Sequence, residues 1–150
     1  MATIEASQHV PAPLAEAWDH FFYEPGWPAW VDGFASVIAN AGYPQAGGTL
    51  RWRSTPAGRG IVDERVVEHE HRRRHLVSFA DPTMEGELET RFAIEGDGTR
   101  IIQTFTYRVL AGGPVARIGA ALFVKGQVRD SLARSLAGFR DFVEDWSAAA

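Results

Sequence analysis

Val10-Pro11-Ala12-Pro13-Leu14-Ala15-Glu16-Ala17-Trp18, followed by Trp27-Pro28-Ala29-Trp30, is the stretch that decides the architecture. Upstream of it, Thr3 to Val10 alternates, with Ile4, Ala6 and Val10 on one side and Glu5 and His9 on the other, the period of a strand. Gln8 falls on the apolar side. Pro11 and Pro13 end the strand, and Pro13 suits the first position of a helix, where its missing N–H costs nothing. Leu14, Trp18 and Phe21 then recur at helical spacing, with Glu16 favourably placed in the first turn. Glu24-Pro25-Gly26 breaks that helix, and Pro28 is expected to start a second, very short one that carries Trp30.

Downstream the period changes to two. Ala35 to Ala41 is a weak strand, Pro44 to Gly48 a turn, and Thr49 to Thr55 a strand in which Leu50, Trp52 and Ser54 alternate with Arg51 and Arg53. Further strands are expected over Gly60 to Glu70 and His75 to Ala80, joined by a turn at His71 to Arg74. Met84, Gly86, Leu88, Thr90, Phe92 and Ile94 then alternate with Glu85, Glu87, Glu89 and Arg91, the clearest alternation in the chain. Gly96-Asp97-Gly98 is a strong hairpin signal that leads into Thr99 to Leu110. Gly112-Gly113-Pro114 opens a final long helix whose apolar stripe is Leu132, Leu136, Phe139, Val143 and Trp146. One strand, two short helices, a run of antiparallel strands and a long terminal helix describe an α+β sheet curled around a helix.

Composition narrows the function classes. The 150 residues fit one domain, residues 1–150, with an ordinary apolar content of 45% and 23% charged residues. A net charge of −4 argues against nucleic acid or an anionic membrane as main partner, because both reward a concentrated positive field. Without Cys there is no disulfide, thiolate zinc site or cysteine nucleophile. The start of the chain shows neither a basic nor an apolar signal region, and the longest apolar run, Ile118 to Val124, is too short to span a bilayer. The expectation is a cytoplasmic protein without stable membrane insertion; a homodimer is left open.

The strand into Val10-Pro11-Ala12-Pro13-Leu14-Ala15-Glu16-Ala17-Trp18, the aromatic-proline segment Trp27-Pro28-Ala29-Trp30, the hairpin at Gly98-Thr99-Arg100-Ile101 and the closing helix together resemble the START/Bet v 1-like (SRPBCC) superfamily. Within it, the pattern is similar to the polyketide cyclase/dehydrase-like branch. The resemblance covers nearly the whole chain. It implies a helix-grip fold, with a seven-stranded antiparallel sheet wrapped around the last helix and two short helices between strands one and two. It also implies binding of a hydrophobic or amphipathic molecule, a lipid-like ligand included, in the space between sheet and helix. Some members cyclise or dehydrate polyketides. There is no universal catalytic motif to carry over, so fold alone does not assign a reaction.

Residue by residue, bland readings compete with functional ones. His69, His71 and His75 surround Arg72-Arg73-Arg74, and the expectation is a solvated turn rather than a metal or nucleic-acid site, since a third ligand and supporting carboxylates are not evident. Glu85, Glu87 and Glu89 share the face opposite the apolar one, so they are expected in solvent, paired across strands with Arg100 and Arg108. Trp18, Trp30 and Trp146 are read as packing, whereas Trp27 and Trp52 are candidates for the pocket wall.

Polar residues on inner faces carry the sharper signal. Glu64 shares parity with Val62 and Val66, Gln103 and Tyr107 alternate with Ile101, Phe105 and Val109, and Thr90 sits between Leu88 and Phe92. An inward carboxylate must be hydrogen-bonded, paired or protonated. The alternative for Glu64 is a bulged strand in which Ile61, Asp63 and Val67 change sides. Lys125 falls on the core stripe of the last helix and Phe123 opposite it, both beside Gly126. Either the helix slips phase at Gly126 and turns Phe123 inward, the preferred reading, or Lys125 points into the cavity and Phe123 marks a contact surface.

The candidate ligand-binding set is therefore Trp27, Trp52, Glu64, Leu88, Thr90, Gln103, Phe105, Tyr107, Phe123 and Lys125, with Glu64 and Tyr107 as candidate acid–base groups. Such chemistry needs no cofactor and no metal. The rival expectation is a protein-interaction module with a collapsed pocket, and cavity volume separates the two.

Overall fold

A computed structural model describes residues 1–110 and 114–149, with side chains for 1–110 and 123–149. The strand and helix boundaries follow the periodicity closely. Strand β1 (Ala2–Val10) leads into α1 (Leu14–Phe21), a 3-10 turn at Glu24–Gly26 and α2 (Trp27–Trp30). Six strands follow: β2 (Phe34–Ala41), β3 (Thr49–Ser54), β4 (Ile61–Glu70), β5 (Arg74–Ala80), β6 (Met84–Glu95) and β7 (Gly98–Val109). Helix α3 (Pro114–Ala149) closes the chain.

All seven strands form one antiparallel sheet in the order β1-β7-β6-β5-β4-β3-β2. Each strand from β2 to β7 pairs with its sequence neighbour, which is what short turns allow. The chain then pairs β7 with β1, in register from Val10 opposite Thr99 to Ala2 opposite Tyr107. Gly86 makes close pairing of β6 with β7 possible, since a Cβ there would meet the Thr106 carbonyl oxygen at 1.9 Å.

Helix α3 lies along β1 and β7 and meets α2. Leu136, Phe139 and Val143 are essentially sealed from solvent, and Leu132 is also buried. Pro13 caps α1 rather than opening it, and Trp18 and Phe21 face the core as their spacing predicts. Trp30 packs between Phe21 at 4.9 Å and Phe139 at 4.8 Å, tying α2 to α3.

Three expectations are corrected. Trp146 is 47% exposed and lies in an outer aromatic contact with His20 and Tyr23, because the core stripe ends at Val143. Ile94 is largely exposed although it shares parity with Phe92; it lies one residue from the end of β6, at its outer edge before the turn to β7. The expected phase slip at Gly126 is not there. Helix α3 is unbroken through Gly126, nothing approaches that position within 4 Å, and Phe123 remains 71% exposed. A glycine weakens a helix by about 1 kcal/mol but does not redirect it without a group inserted beside it.

Candidate functional site

A cavity of about 520 Å³ lies between the inner face of the sheet and α3. Parity builds its floor: β3 contributes Leu50 and Trp52, β4 Glu64, β5 His75 and Val77, β6 Leu88 and Thr90, and β7 Gln103 and Phe105. Trp27 and Trp30 of α2 and Val124, Val128 and Leu132 of α3 form the facing wall. A broad depression of about 770 Å³ on the other side of the sheet is edged by exposed charges such as the Arg51–Asp63 pair at 2.7 Å, and it lacks this aromatic wall.

Glu64 keeps the inward parity of Val62 and Val66, both buried, while Ile61 and Val67 are exposed. The bulge in β4 comes later, between Val66 and Glu68. Trp52 Nε1 donates a 2.8 Å hydrogen bond to Glu64 Oε2. Burial pushes the Glu64 carboxyl above its ordinary pKa, and the Trp52 hydrogen bond and the Arg59 charge oppose that rise.

Arg59 reaches the same region from the β3–β4 loop. Its Nε donates to Asp81 Oδ2 at 2.9 Å, and its guanidinium lies over the rings of Phe79 at 4.8 Å, Trp52 at 5.6 Å and Phe105 at 5.9 Å. Asp81 is held in turn by the backbone N–H groups of Thr83 and Met84. Gln103 donates from Nε2 to Thr90 Oγ1 at 3.2 Å, both residues being buried.

Beside Glu64 lies a chain of three further groups. Tyr43 Oη is 3.2 Å from His75 Nε2, and His75 Nδ1 is 2.9 Å from His69 Nδ1. Burial and the His69 charge push the His75 imidazole down to about 3, so it is neutral at physiological pH. Burial also lowers His69, with His71 adding to the effect, and raises Tyr43 well above its ordinary value, with the Glu64 charge acting in the same direction.

At one end, Asp32 ties the α2–β2 connection to α3. Its carboxylate accepts from Ser131 Oγ at 2.8 Å and from Arg134 Nε and Nη2 at 3.1 Å each, and its N–H donates to Ser135 Oγ at 2.8 Å. The Arg134 hydrogen bond is the main reason the Asp32 carboxyl sits below its ordinary pKa.

With the sheet, helix and cavity established, the comparisons with known proteins identify the lineage. The family described as polyketide cyclase / dehydrase and lipid transport matches residues 1–144. The chain belongs to that family. Among solved structures, a Thermus thermophilus protein is similar with a TM-score of 0.76 at 18% identity, covering 97% of this chain and 99% of that one. The Zhui aromatase/cyclase from Streptomyces gives a TM-score of 0.79 at 16% identity, covering 95% of this chain and 93% of that one. Ara h 8.0201 gives 0.68 at 13% identity, covering 96% and 98%. These likenesses show the helix-grip fold. No curated protein matches the chain in sequence.

In this family member, the structure brings Trp27, Trp52, Glu64, Leu88, Thr90, Gln103 and Phe105 to one cavity. Tyr107 is buried on the same face of β7, 5.6 Å from Phe105, but it lies beyond the cavity toward Arg129 and does not line it. Phe123 is directed outward and Lys125 is only half-buried; neither lines the cavity, because the unbroken helix keeps Phe123 on its outer side.

The solvated turn is present at His71 to Arg73, but His69 and His75 flank it on strands and do not share its exposure. His75 is 3% exposed and faces the cavity, while His69 packs on Trp18 at 5.0 Å and on Phe22 at 5.2 Å. Tyr43, Arg59 and His75 are thus among the cavity groups that sequence reasoning missed. For His75 a signal existed in its alternation with Val77 and Phe79. For the loop residues Tyr43 and Arg59 there was no periodicity to use.

Proposed function

We propose that this protein binds a small hydrophobic or amphipathic molecule in the cavity between sheet and α3. The cavity itself carries the reading: about 520 Å³ of space, walled by Trp27, Trp52, Leu88 and Phe105 and set with a few polar groups, has the size and lining of a ligand site. The volume speaks against the rival reading, an interaction module with a collapsed pocket. The aromatic wall takes the apolar body of the ligand. Glu64, Thr90 and Gln103 give one side a polar end.

The family description and the aromatase/cyclase relative support acid–base chemistry on a carbonyl-rich substrate as the finer reading. In this chain, Glu64 is the group suited to donate a proton, because burial favours its protonated form. Tyr43 takes the place of Tyr107 as the hydroxyl facing the cavity. Such a reaction would proceed by folding the substrate against the aromatic wall and moving protons.

Native mass spectrometry of the freshly purified protein, combined with titration by the fluorescent aromatic alcohol 2-naphthol, tests the binding reading. The expected result is saturable one-to-one binding of 2-naphthol, seen as a rise in anisotropy, that is weakened by a co-purified molecule where one is bound. Absence of saturable binding in protein stripped of co-purified molecules would overturn the reading.

A further inference from the structure

We propose that Tyr43, His75 and His69 form a proton relay that links the cavity to the outer end of the sheet, with the Tyr43 hydroxyl as its catalytic terminus for a ligand bearing a hydroxyl or an enolisable carbonyl. The proposal rests on the cavity being a ligand site. Tyr43 and His75 both line the cavity, and His69 is half-buried near the end of β4, beside the β4–β5 turn. The heavy-atom separations, 3.2 Å from Tyr43 Oη to His75 Nε2 and 2.9 Å from His75 Nδ1 to His69 Nδ1, are hydrogen-bond distances.

Two facing Nδ1 atoms impose a direction. A neutral imidazole carries one N–H and one bare nitrogen, so across the His69–His75 contact one ring donates and the other accepts. Suppose His75 Nδ1–H donates to His69. Then His75 Nε2 is bare and accepts from the Tyr43 hydroxyl, whose oxygen is free to take a proton from a ligand. In the opposite tautomer, His69 Nδ1–H donates to His75, His75 Nε2–H donates to Tyr43 Oη, and the Tyr43 proton points at the ligand. One arrangement removes a proton from the cavity and the other delivers one.

The balance closes. A ligand O–H gives its proton to Tyr43 Oη, the Tyr43 proton passes to His75 Nε2, and the His75 Nδ1 proton passes to His69 Nδ1. His69, briefly an imidazolium, releases its Nε2 proton to water. The chain is left in the delivering arrangement, and returning a proton to the ligand, with His69 Nε2 taking one back from water, resets it. It therefore fits a reaction that takes a proton from one atom and gives one back at another, such as enolisation followed by loss of water. His75 is held neutral by burial, which keeps it a carrier rather than a trap, and His69, only half-buried, is where the charge leaves.

Excited 2-naphthol is a strong acid whose naphthol and naphtholate forms emit at different wavelengths, so it reads the relay directly. With 2-naphthol bound to the wild-type protein, naphtholate emission is expected. Tyr43→Phe and His69→Phe are each expected to abolish most of that emission while anisotropy still shows binding. The His69 substitution keeps an aromatic ring against Trp18 and Phe22, breaks only the outer link and does not touch the ligand, so a merely structural role for His69 would leave the emission unchanged. A scalar coupling between the two Nδ1 nuclei in 15N-histidine-labelled wild-type protein checks the inner link without any variant. Bound 2-naphthol that emits only as neutral naphthol, full naphtholate emission from His69→Phe, or absence of the coupling overturns the relay. Absence of 2-naphthol binding overturns the cavity reading and the relay's function with it.

Discussion

Trp52 and Glu64, on adjacent strands, meet inside the cavity through a 2.8 Å hydrogen bond from the indole N–H to the carboxylate. The indole stabilises the charged form, whereas burial favours the neutral one, and burial prevails. Trp52→Phe removes the donor and keeps an aromatic surface. The Glu64 pKa, followed by carboxyl-carbon NMR, is expected to rise further in that variant. A fall, or no change, would mean that the hydrogen bond does not hold Glu64.

Helix α3 is expected to be secured mainly by its buried stripe. Leu136 is 1% exposed, so Leu136→Ala is expected to lower the unfolding free energy by about 2–5 kcal/mol in urea denaturation, the range for deleting a large core side chain. A loss below about 0.5 kcal/mol, usual for surface positions, would contradict the packing.

The pKa of His75 predicts how acid acts on stability. Its folded value, about 3, lies below the ordinary 6.5, so between these values the unfolded chain binds a proton that the folded protein refuses. This group's contribution to stability therefore falls as pH drops from 6.5 towards 3, by at most about 1.4 kcal/mol per pH unit. Glu64 works in the opposite sense, because its raised folded pKa gains a proton as pH falls. His75→Gln is expected to flatten the acid side of the stability–pH curve. An unchanged slope would show that His75 is not held neutral.

The outer face of β6 is expected to be dispensable for binding. Glu85 pairs with Arg108, and Glu89 pairs with Arg74 at 2.6 Å and Arg91 at 3.0 Å, while the cavity lies on the other side of the strand. Replacing Glu85, Glu87 and Glu89 by Gln is expected to leave 2-naphthol affinity within roughly twofold, the usual range for surface changes. A large loss of affinity with the fold intact would reverse the assignment of faces.

The fold was legible because its elements carry periodicity: Met84 to Ile94 alternates at period two, and Leu132 to Val143 recurs at helical spacing. The strand-borne cavity wall was legible for the same reason, through Glu64, Thr90 and Gln103. What the sequence hid depended on single residues out of phase. The bulge between Val66 and Glu68 inserts one residue into β4, so that His69 turns inward opposite His75 instead of following the outward side set by Val67. Tyr43 and Arg59 come from loops whose path no alternation reports. Phe123 stays outward because the helix tolerates one exposed aromatic rather than bending at Gly126 to hide it.

The central claim, a ligand seated between the sheet and α3, is tested most directly by intermolecular NOEs from bound 2-naphthol to assigned methyl groups. The account predicts contacts to Val77, Leu88 and Val128, which line the cavity, and none to Ile61 or Ile94, which are exposed. Contacts to Ile61 or Ile94 without any to Val77, Leu88 and Val128 would place the ligand outside the grip and contradict it.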